Sequence, residues 1–218
     1  MKPHLLLASQ SPRRRQLIQL VGFPFTAITA DVNESSVIVP DPALNAIQTA
    51  ELKAQAIAAQ HKSQPDATII VAADTIVALG QQMLGKPTDS ANAFQMLSAL
   101  RGRTHAVHTG VVLLEVDSGR VVKGVHTAVV TMRSYSDEEI ATYIATGDPL
   151  DKAGAYAIQH PQFQPVSHLE GCYLGVMGLS ICHLIGLLTQ LGIVRAADLL
   201  ALRLAHQGYA CPILATLR

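Results

Sequence analysis

Tryptophan is missing from this 218-residue chain and aromatic residues supply only 4% of it. That scarcity argues against a surface that stacks the bases of single-stranded nucleic acid. Neither sign of charge is in excess, because 16 Lys+Arg balance 16 Asp+Glu. No global field therefore draws the chain to nucleic acid or to an anionic membrane, and any anionic ligand must be held by a local cluster of cations. No apolar run approaches the ~20 residues that span a bilayer; the longest, around 179–191, is interrupted by His183, Gly186 and Gln190. The apolar run Leu5–Ala8 is too short for the core of a secretory signal, and three arginines follow it closely. The expectation is a soluble, cytoplasmic protein without nucleic-acid or membrane partners. Cysteine is scarce as well. Cys172, Cys182 and Cys211 are odd in number, widely spaced and without a C-x-x-C pair, and they read as reduced thiols of an intracellular protein. None of the nine histidines forms a helical H-x-x-x-H metal pair; His105 and His108 fall on opposite faces of a strand and read as structural. A Walker phosphate loop, a dinucleotide glycine fingerprint and a nucleophile elbow are all lacking.

What is present is an apolar, globular composition, 49% hydrophobic and 15% charged, long enough for one large domain or two small lobes. His4–Ala8 reads as a buried strand. Ser11-Pro12 then opens a helix whose apolar face is Leu17, Ile18, Leu20 and Val21, and Gly22 stops it. Residues 25–30 predict a second strand and 31–41 a polar loop. Asp41-Pro42 starts a helix to about Gln60, with Leu44, Ile47, Ala54, Ile57 and Ala58 on one stripe. A β-branched run covers 68–79, and Asp89 caps a helix bearing Ala93, Met96, Leu97 and Leu100. The stretches 105–116 and 120–132 form a long hairpin around Asp117-Ser118-Gly119. Ser136 to Glu139 is a capping box for a helix to about Thr146, and two helices follow near 179–191 and 196–206. The alternation predicts an α/β protein with a long, curved mixed sheet flanked by helices, with room for two lobes and a cleft.

Five segments carry chemistry. Ser9 to Arg15 lies between a buried strand and a helix N-terminus, where free N–H groups favour an anion. Cations are out of place there, so Arg13, Arg14 and Arg15 point to a phosphate, alongside the hydroxyls of Ser9 and Ser11. Asp74 sits inside the apolar run Ala72–Val77. A buried carboxylate needs a metal, a cation or a proton to abstract, or else a backbone amide partner. Asn33-Glu34 stands in the polar loop, with Glu51 and Lys53 on the next helix: Glu51 on its apolar stripe, which calls for a partner, and Lys53 on the flank. Lys86, between Gly85 and Pro87, is presented rigidly from a turn. The segment 147–159 sets Asp151 beside Lys152 in a folded polar network and ends on Gln159, whose amide suits reading a base edge.

In this order the segments resemble the Maf-like nucleotide pyrophosphatases. The similarity is carried by Leu6-Leu7-Ala8-Ser9-Gln10-Ser11-Pro12-Arg13-Arg14, Glu34, Lys53-Ala54, Ala73 to Val77, Leu84-Gly85-Lys86-Pro87, Arg101 to Gly110, and Asp151 to Gln159. It covers about Leu5 to Leu188, and the reading divides the chain into a Maf-like pyrophosphatase domain, 1–192, and a C-terminal helical extension, 193–218. The resemblance implies a fold like that of the inosine triphosphate pyrophosphatases, a homodimer, a divalent cation (Mg²⁺ or Mn²⁺) and release of pyrophosphate from a nucleoside triphosphate. By the same resemblance Asp74 is the proton acceptor, and Ser9, Arg13, Arg14, Lys53 and Lys86 hold the triphosphate. Glu34 with Asp74 binds metal, while Arg13, Thr75 and Gln159 set base choice. Those three residues are similar to the dTTP/UTP branch. The alternatives are a 7-methyl-GTP or broader non-canonical nucleotide pyrophosphatase, or a nucleotide-binding regulator of cell division with weakened catalysis. The regulator reading is motivated by two departures from the family pattern: Gly175 replaces an amide side chain and Ser180 replaces a proline.

Overall fold

The computed structural model describes residues 3–61, 68–194 and 198–217. Seven strands form one mixed sheet: β1 His4–Ala8, β2 Phe25–Ile28, β3 Thr68–Leu79, β4 Gln82–Leu84, β5 Thr104–Glu115, β6 Val121–Met132 and β7 Val166–Glu170. The helices are α1 Pro12–Ile18, α2 Pro42–Gln60, α3 Ser90–Leu100, α4 Asp137–Ala145, α5 Tyr173–Val176, α6 Ile181–Gln190, α7 Leu199–Ala205 and α8 Pro212–Thr216. The order across the sheet is β2-β1-β3-β5-β6-β7. β2, β1 and β3 run parallel, and every other pairing is antiparallel.

Most of these elements arise where the sequence places them, and their ends have local causes. Ser11 and Asp41 cap α1 and α2 with Pro at the first turn, and Ser136 and Glu139 close the capping box of α4. Gly22 takes the left-handed conformation that ends the first helical segment. Residues 68–79 form one uninterrupted strand through Asp74. The short elements β4, β7, α5 and α8 are additions to the sequence reading, each too brief to show a period. The helix expected from Ala196 is described from Leu199; its start lies outside the described residues.

Strand β3 positions everything else. One edge pairs with β5 along Ile69–Ala78. The other pairs with β1 at Thr68–Val71 and with β4 at Val77–Leu79, so the sheet opens between them at Ala72–Ile76. The expected cleft lies at this opening. The strand's alternation sends Asp74 to the face of Ile70 and Ala72, and Thr75 to the face of Val71, Ala73 and Val77.

Each face has its own core. Under α2 lie Leu6, Ala8, Ile70, Ala72, Val112 and Leu114. The opposite face carries the larger core, with Leu97 and Leu100 of α3, Ile140 and Tyr143 of α4, and Leu184, Leu187 and Leu188 of α6. The C-terminal segment joins it through buried Leu202 and Cys211, with Tyr209, Ile213 and Leu214 packed alongside.

The buried stripe of α2 is not the one drawn from large apolar side chains. Leu44 is exposed, whereas Ala46, Ala50 and Ala54 are fully buried, together with Thr49, Lys53 and Ile57. The reason is proximity. At Gly110, which lies opposite Asp74 in the β3–β5 register, a Cβ would stand 2.6 Å from the Ala46 carbonyl and 2.7 Å from Ile47 Cα. Alanines on the helix and a glycine on the strand allow the backbones to touch, and bulkier residues are displaced to the flanks.

Gly110→Val should therefore lower stability by about 1–3 kcal/mol, the range of an overpacked contact, read as a lower urea midpoint. Valine favours strands in general, so an unchanged or raised midpoint would refute the close-contact account.

Candidate active site

The cleft has a volume of about 900 Å³, and the nine residues to which the family resemblance gives roles line it: Ser9, Arg13, Arg14, Glu34, Lys53, Asp74, Thr75, Lys86 and Gln159. At its base Lys53 Nζ donates to Asp74 Oδ1 at 2.7 Å and reaches Glu34 Oε1 at 2.9 Å. The Lys53 side chain is 8% exposed and that of Asp74 14%, against 58% for Glu34. Lys53 is thus buried in the packed stripe of α2 and not on its flank, because the close approach at Gly110 brings this face against β3. The shielded carboxylate meets a cation, one of the partners anticipated for it.

The loop that bears Glu34 is tied to the same helix. Asn45 Nδ2 donates to the carbonyls of Val37 and Val39 at 3.1 and 3.2 Å, and Thr49 Oγ1 donates to Asn45 Oδ1 at 3.4 Å. Asn45, Thr49 and Lys53 all line the cleft. Asn45 and Thr49 were missed as site residues, although spacing at i, i+4 and i+8 puts three polar groups on one helical stripe. Glu51 is not part of the site. It accepts from Lys123 Nζ at 2.7 Å and lines a separate shallow groove beside Leu44 and Ile47.

Arg14 enters from α1. Its Nε donates to the Gly178 carbonyl at 2.8 Å and its Nη2 to Thr75 Oγ1 at 3.2 Å, while Thr75 Oγ1 lies 3.1 Å from Thr109 Oγ1. Burial pulls the guanidinium below its ordinary pKa, opposed by the attraction of Asp74 and Glu34. A cation desolvated in this way gains from an incoming anion. Arg13 makes a long contact, 3.7 Å, with exposed Asp151, which a phosphate can displace. Arg15 is exposed and does not line the cleft, so two of the three arginines face it. Ser9 Oγ accepts from the Ser11 N–H at 3.2 Å, which leaves its hydroxyl proton to donate.

The far wall is the loop 147–159. Lys152 forms the polar network expected of this loop: it is buried, lines the cleft and donates to Asp148 Oδ1 at 2.9 Å and Asp151 Oδ1 at 2.6 Å. The Tyr143 hydroxyl donates to Asp148 Oδ2 at 2.7 Å and accepts from the Ala157 N–H at 3.0 Å. Tyr156 OH lies 2.8 Å from buried His105 Nε2, and burial holds that imidazole down at about 4, hence neutral. The loop ends on Gln159, whose side-chain amide makes no hydrogen bond among the described residues and lines the cleft.

The two departures from the family pattern lie outside the cleft lining. A Cβ on Gly175 would stand 2.8 Å from His126 Cδ2, so the imidazole excludes a side chain there. The Gly175 carbonyl still accepts from Thr109 Oγ1 at 2.8 Å. Ser180 caps α6, its Oγ accepting from the His183 N–H at 3.3 Å.

A family model described as Maf-like protein matches residues 4–191. Similar curated proteins carry the name dTTP/UTP pyrophosphatase. One from Dehalococcoides mccartyi is 39% identical over 194 residues, 87% of this chain and 83% of the relative. One from Syntrophotalea carbinolica is 41% identical over 191 residues, 88% and 86% of the two chains. A third, from Chlorobium luteolum, is 43% identical over 180 residues, 82% and 92%.

Tyr143→Phe deletes a hydroxyl that serves both Asp148 and the Ala157 N–H. It should cost about 1–3 kcal/mol, the penalty for buried partners left unsatisfied, and thermal melting would measure it. An unchanged melting temperature would remove this hydroxyl from the loop's support.

Proposed function

The chain belongs to the Maf-like protein family, and from that premise we propose that its cleft hydrolyses dTTP and UTP to the nucleoside monophosphate and pyrophosphate. It is a nucleoside triphosphate pyrophosphatase, and the observation that carries the reading is the convergence of Asp74 with Arg13, Arg14, Lys53 and Lys86 around one cleft. The four cations, with the Ser9 hydroxyl, are of the type and number that a triphosphate needs.

The reaction breaks the α–β anhydride bond. A water oxygen bonds to the α-phosphorus, its proton passes to Asp74, and pyrophosphate departs with the bridging oxygen. Asp74 suits this task because β3 fixes its backbone, and the Lys53 bond to Oδ1 orients the carboxylate while Oδ2 stays available. Arg13, Arg14 and Lys86 offset the charge that builds on the departing phosphates, so catalysis is chiefly positioning and charge stabilisation.

The residues also fit a divalent cation. Glu34 Oε1 and Asp74 Oδ1 already converge on one positive centre, the Lys53 ammonium, and both are hard oxygen donors of the kind Mg²⁺ and Mn²⁺ take. Glu34 and Asp74 would hold the ion, which supplies polarisation of a phosphate oxygen and a more acidic bound water. Arg13, Thr75 and Gln159 would choose the base; the Gln159 amide, which no protein group engages among the described residues, can both donate to and accept from a pyrimidine edge. The proposal extends to a homodimer working in the cytoplasm, supported by the family resemblance; no described helix is long and apolar enough to cross a membrane. Gly175 and Ser180 are accounted for by the His126 contact and a helix cap, which favours an active enzyme over a nucleotide-binding regulator.

Pyrophosphate release from a nucleotide panel with Mg²⁺ or Mn²⁺ should be fastest with dTTP and UTP. Asp74→Asn should reduce it roughly 10²–10⁴-fold, the scale of general acid–base catalysis, with the fold retained by circular dichroism. Near-normal turnover in that variant would sink the assignment. Gln159→Ala should compress the ranking of bases with less effect on the metal requirement, and an unaltered ranking would deny it a part in base choice.

A further inference from the structure

Four groups that the pyrophosphatase site does not use come together in the larger core. Cys172 precedes α5, Cys182 lies in α6, His206 ends α7 and Cys211 caps α8. Their three Sγ atoms and one imidazole nitrogen all lie within 4.8 Å of one another, and each residue is buried: Cys172 and Cys182 completely, His206 to 1% and Cys211 to 7% exposure. The sequence conceals the cluster because the four residues come from four elements, two on each side of the undescribed residues 195–197.

The imidazole is set as a ligand. His206 Nδ1 lies 2.6 Å from the Leu202 carbonyl. A carbonyl accepts and cannot donate, so Nδ1 carries a proton and Nε2 is the nitrogen left to ligate an ion in place of its own proton. Nε2 faces the sulfurs, 3.4 Å from Cys172 Sγ and 3.7 Å from Cys182 Sγ. A ligating histidine whose other nitrogen donates to a backbone carbonyl is the usual arrangement around zinc. Cys211 Sγ accepts from the Leu214 N–H at 3.4 Å, a contact that offsets thiolate charge.

The spacing is close to that around one central ion. Zn–S bonds of about 2.3 Å and Zn–N bonds of about 2.0–2.1 Å in a tetrahedron give edges of roughly 3.5–3.8 Å; the N–S separations of 3.4 and 3.7 Å lie near that length, and the whole set, within 4.8 Å, would draw in slightly on binding. Buried thiols otherwise behave as small apolar groups with weak S–H donors, whereas three of them gathered around one imidazole nitrogen supply a complete set of four metal ligands. We propose that Cys172, Cys182, His206 and Cys211 form a structural Zn²⁺ site that fastens the C-terminal segment to the pyrophosphatase domain. Three thiolates and an imidazole are soft, borderline ligands that favour zinc over the hard cations of the cleft. Four protein ligands complete the tetrahedron and leave no position for a substrate, so the ion is structural. Residues 172 and 182 lie inside the stretch matched by the family model, which ends at 191, and residues 206 and 211 lie beyond it. The ion therefore bridges the two.

The full chain, purified without chelator, should hold about one zinc per chain by elemental analysis. The stripped chain should take up Co²⁺ with thiolate-to-cobalt charge transfer and the intense visible absorption of a tetrahedral site. Asp74→Asn should keep the zinc, so the ion is counted apart from any cation of the cleft. His206→Ala should lose it, and His206→Cys, which restores four soft ligands, should retain it. Chelation should lower the melting temperature of the wild-type chain. Zinc well below one per chain that does not rise on adding Zn²⁺, together with a stripped wild-type chain that melts unchanged and gives no cobalt bands, would overturn the proposal. A stoichiometry left intact by His206→Ala would do the same.

Discussion

The fit of α2 against β5 at Gly110 is the constraint on which the site depends. The helix can lie on the sheet because the strand has no side chain at that point and the helix presents alanines. With the two backbones in contact, Lys53 reaches Asp74, the register partner of that same glycine. Asn45 and Thr49 ride on the same helix and bring the Glu34 loop with them. A shift of α2 away from the sheet would separate the carboxylates from the ammonium and widen the base of the cleft at once.

Much of this was legible in the sequence, for physical reasons. Caps with proline at the first turn, a left-handed glycine stop and a β-branched run are local signals, and they marked α1, α2 and β3 closely. The basic residues at the start of α1 violate the preference of a helix N-terminus, and such a violation asks for an anion; Arg13 and Arg14 turn into the cleft accordingly. Asp74 betrayed itself in the same way, as an acid among apolar neighbours. The failures are equally physical. Hydrophobic spacing gave α2 a stripe that included Leu44, because a pattern of large residues does not register a contact built from small ones. Glu51, by contrast, called for a partner on that stripe and has one in Lys123, away from the cleft. Cys172, Cys182 and Cys211 carried no motif, since their proximity is made by tertiary structure alone.

Gly175 and Cys172, near the end of the site, share one neighbour. His126 fills the space that a side chain at position 175 would take, and its Nε2 accepts from the Cys172 N–H at 2.8 Å. Gly175 and Cys172 thus belong to one local arrangement around α5, whose cleft-facing end supplies the Gly178 carbonyl to Arg14. The aromatic stacking of Tyr173 on Tyr209, centroids 5.0 Å apart, and the hydrogen bond from the Tyr173 hydroxyl to Gln207 bind the C-terminal segment to the same short helix.

The opening in the sheet at Ala72–Ile76 separates two kinds of change. Asp74 is anchored on its far side by a continuous ladder with β5, while the surfaces opposite it are loops and helix ends contributed by other parts of the chain. Gln159 stands on one of those loops and can be exchanged without disturbing the ladder that holds Asp74, whereas Thr75 shares that ladder. If these residues choose the base as proposed, the part of selectivity carried by loops is free to diverge faster than the chemistry carried by the strand.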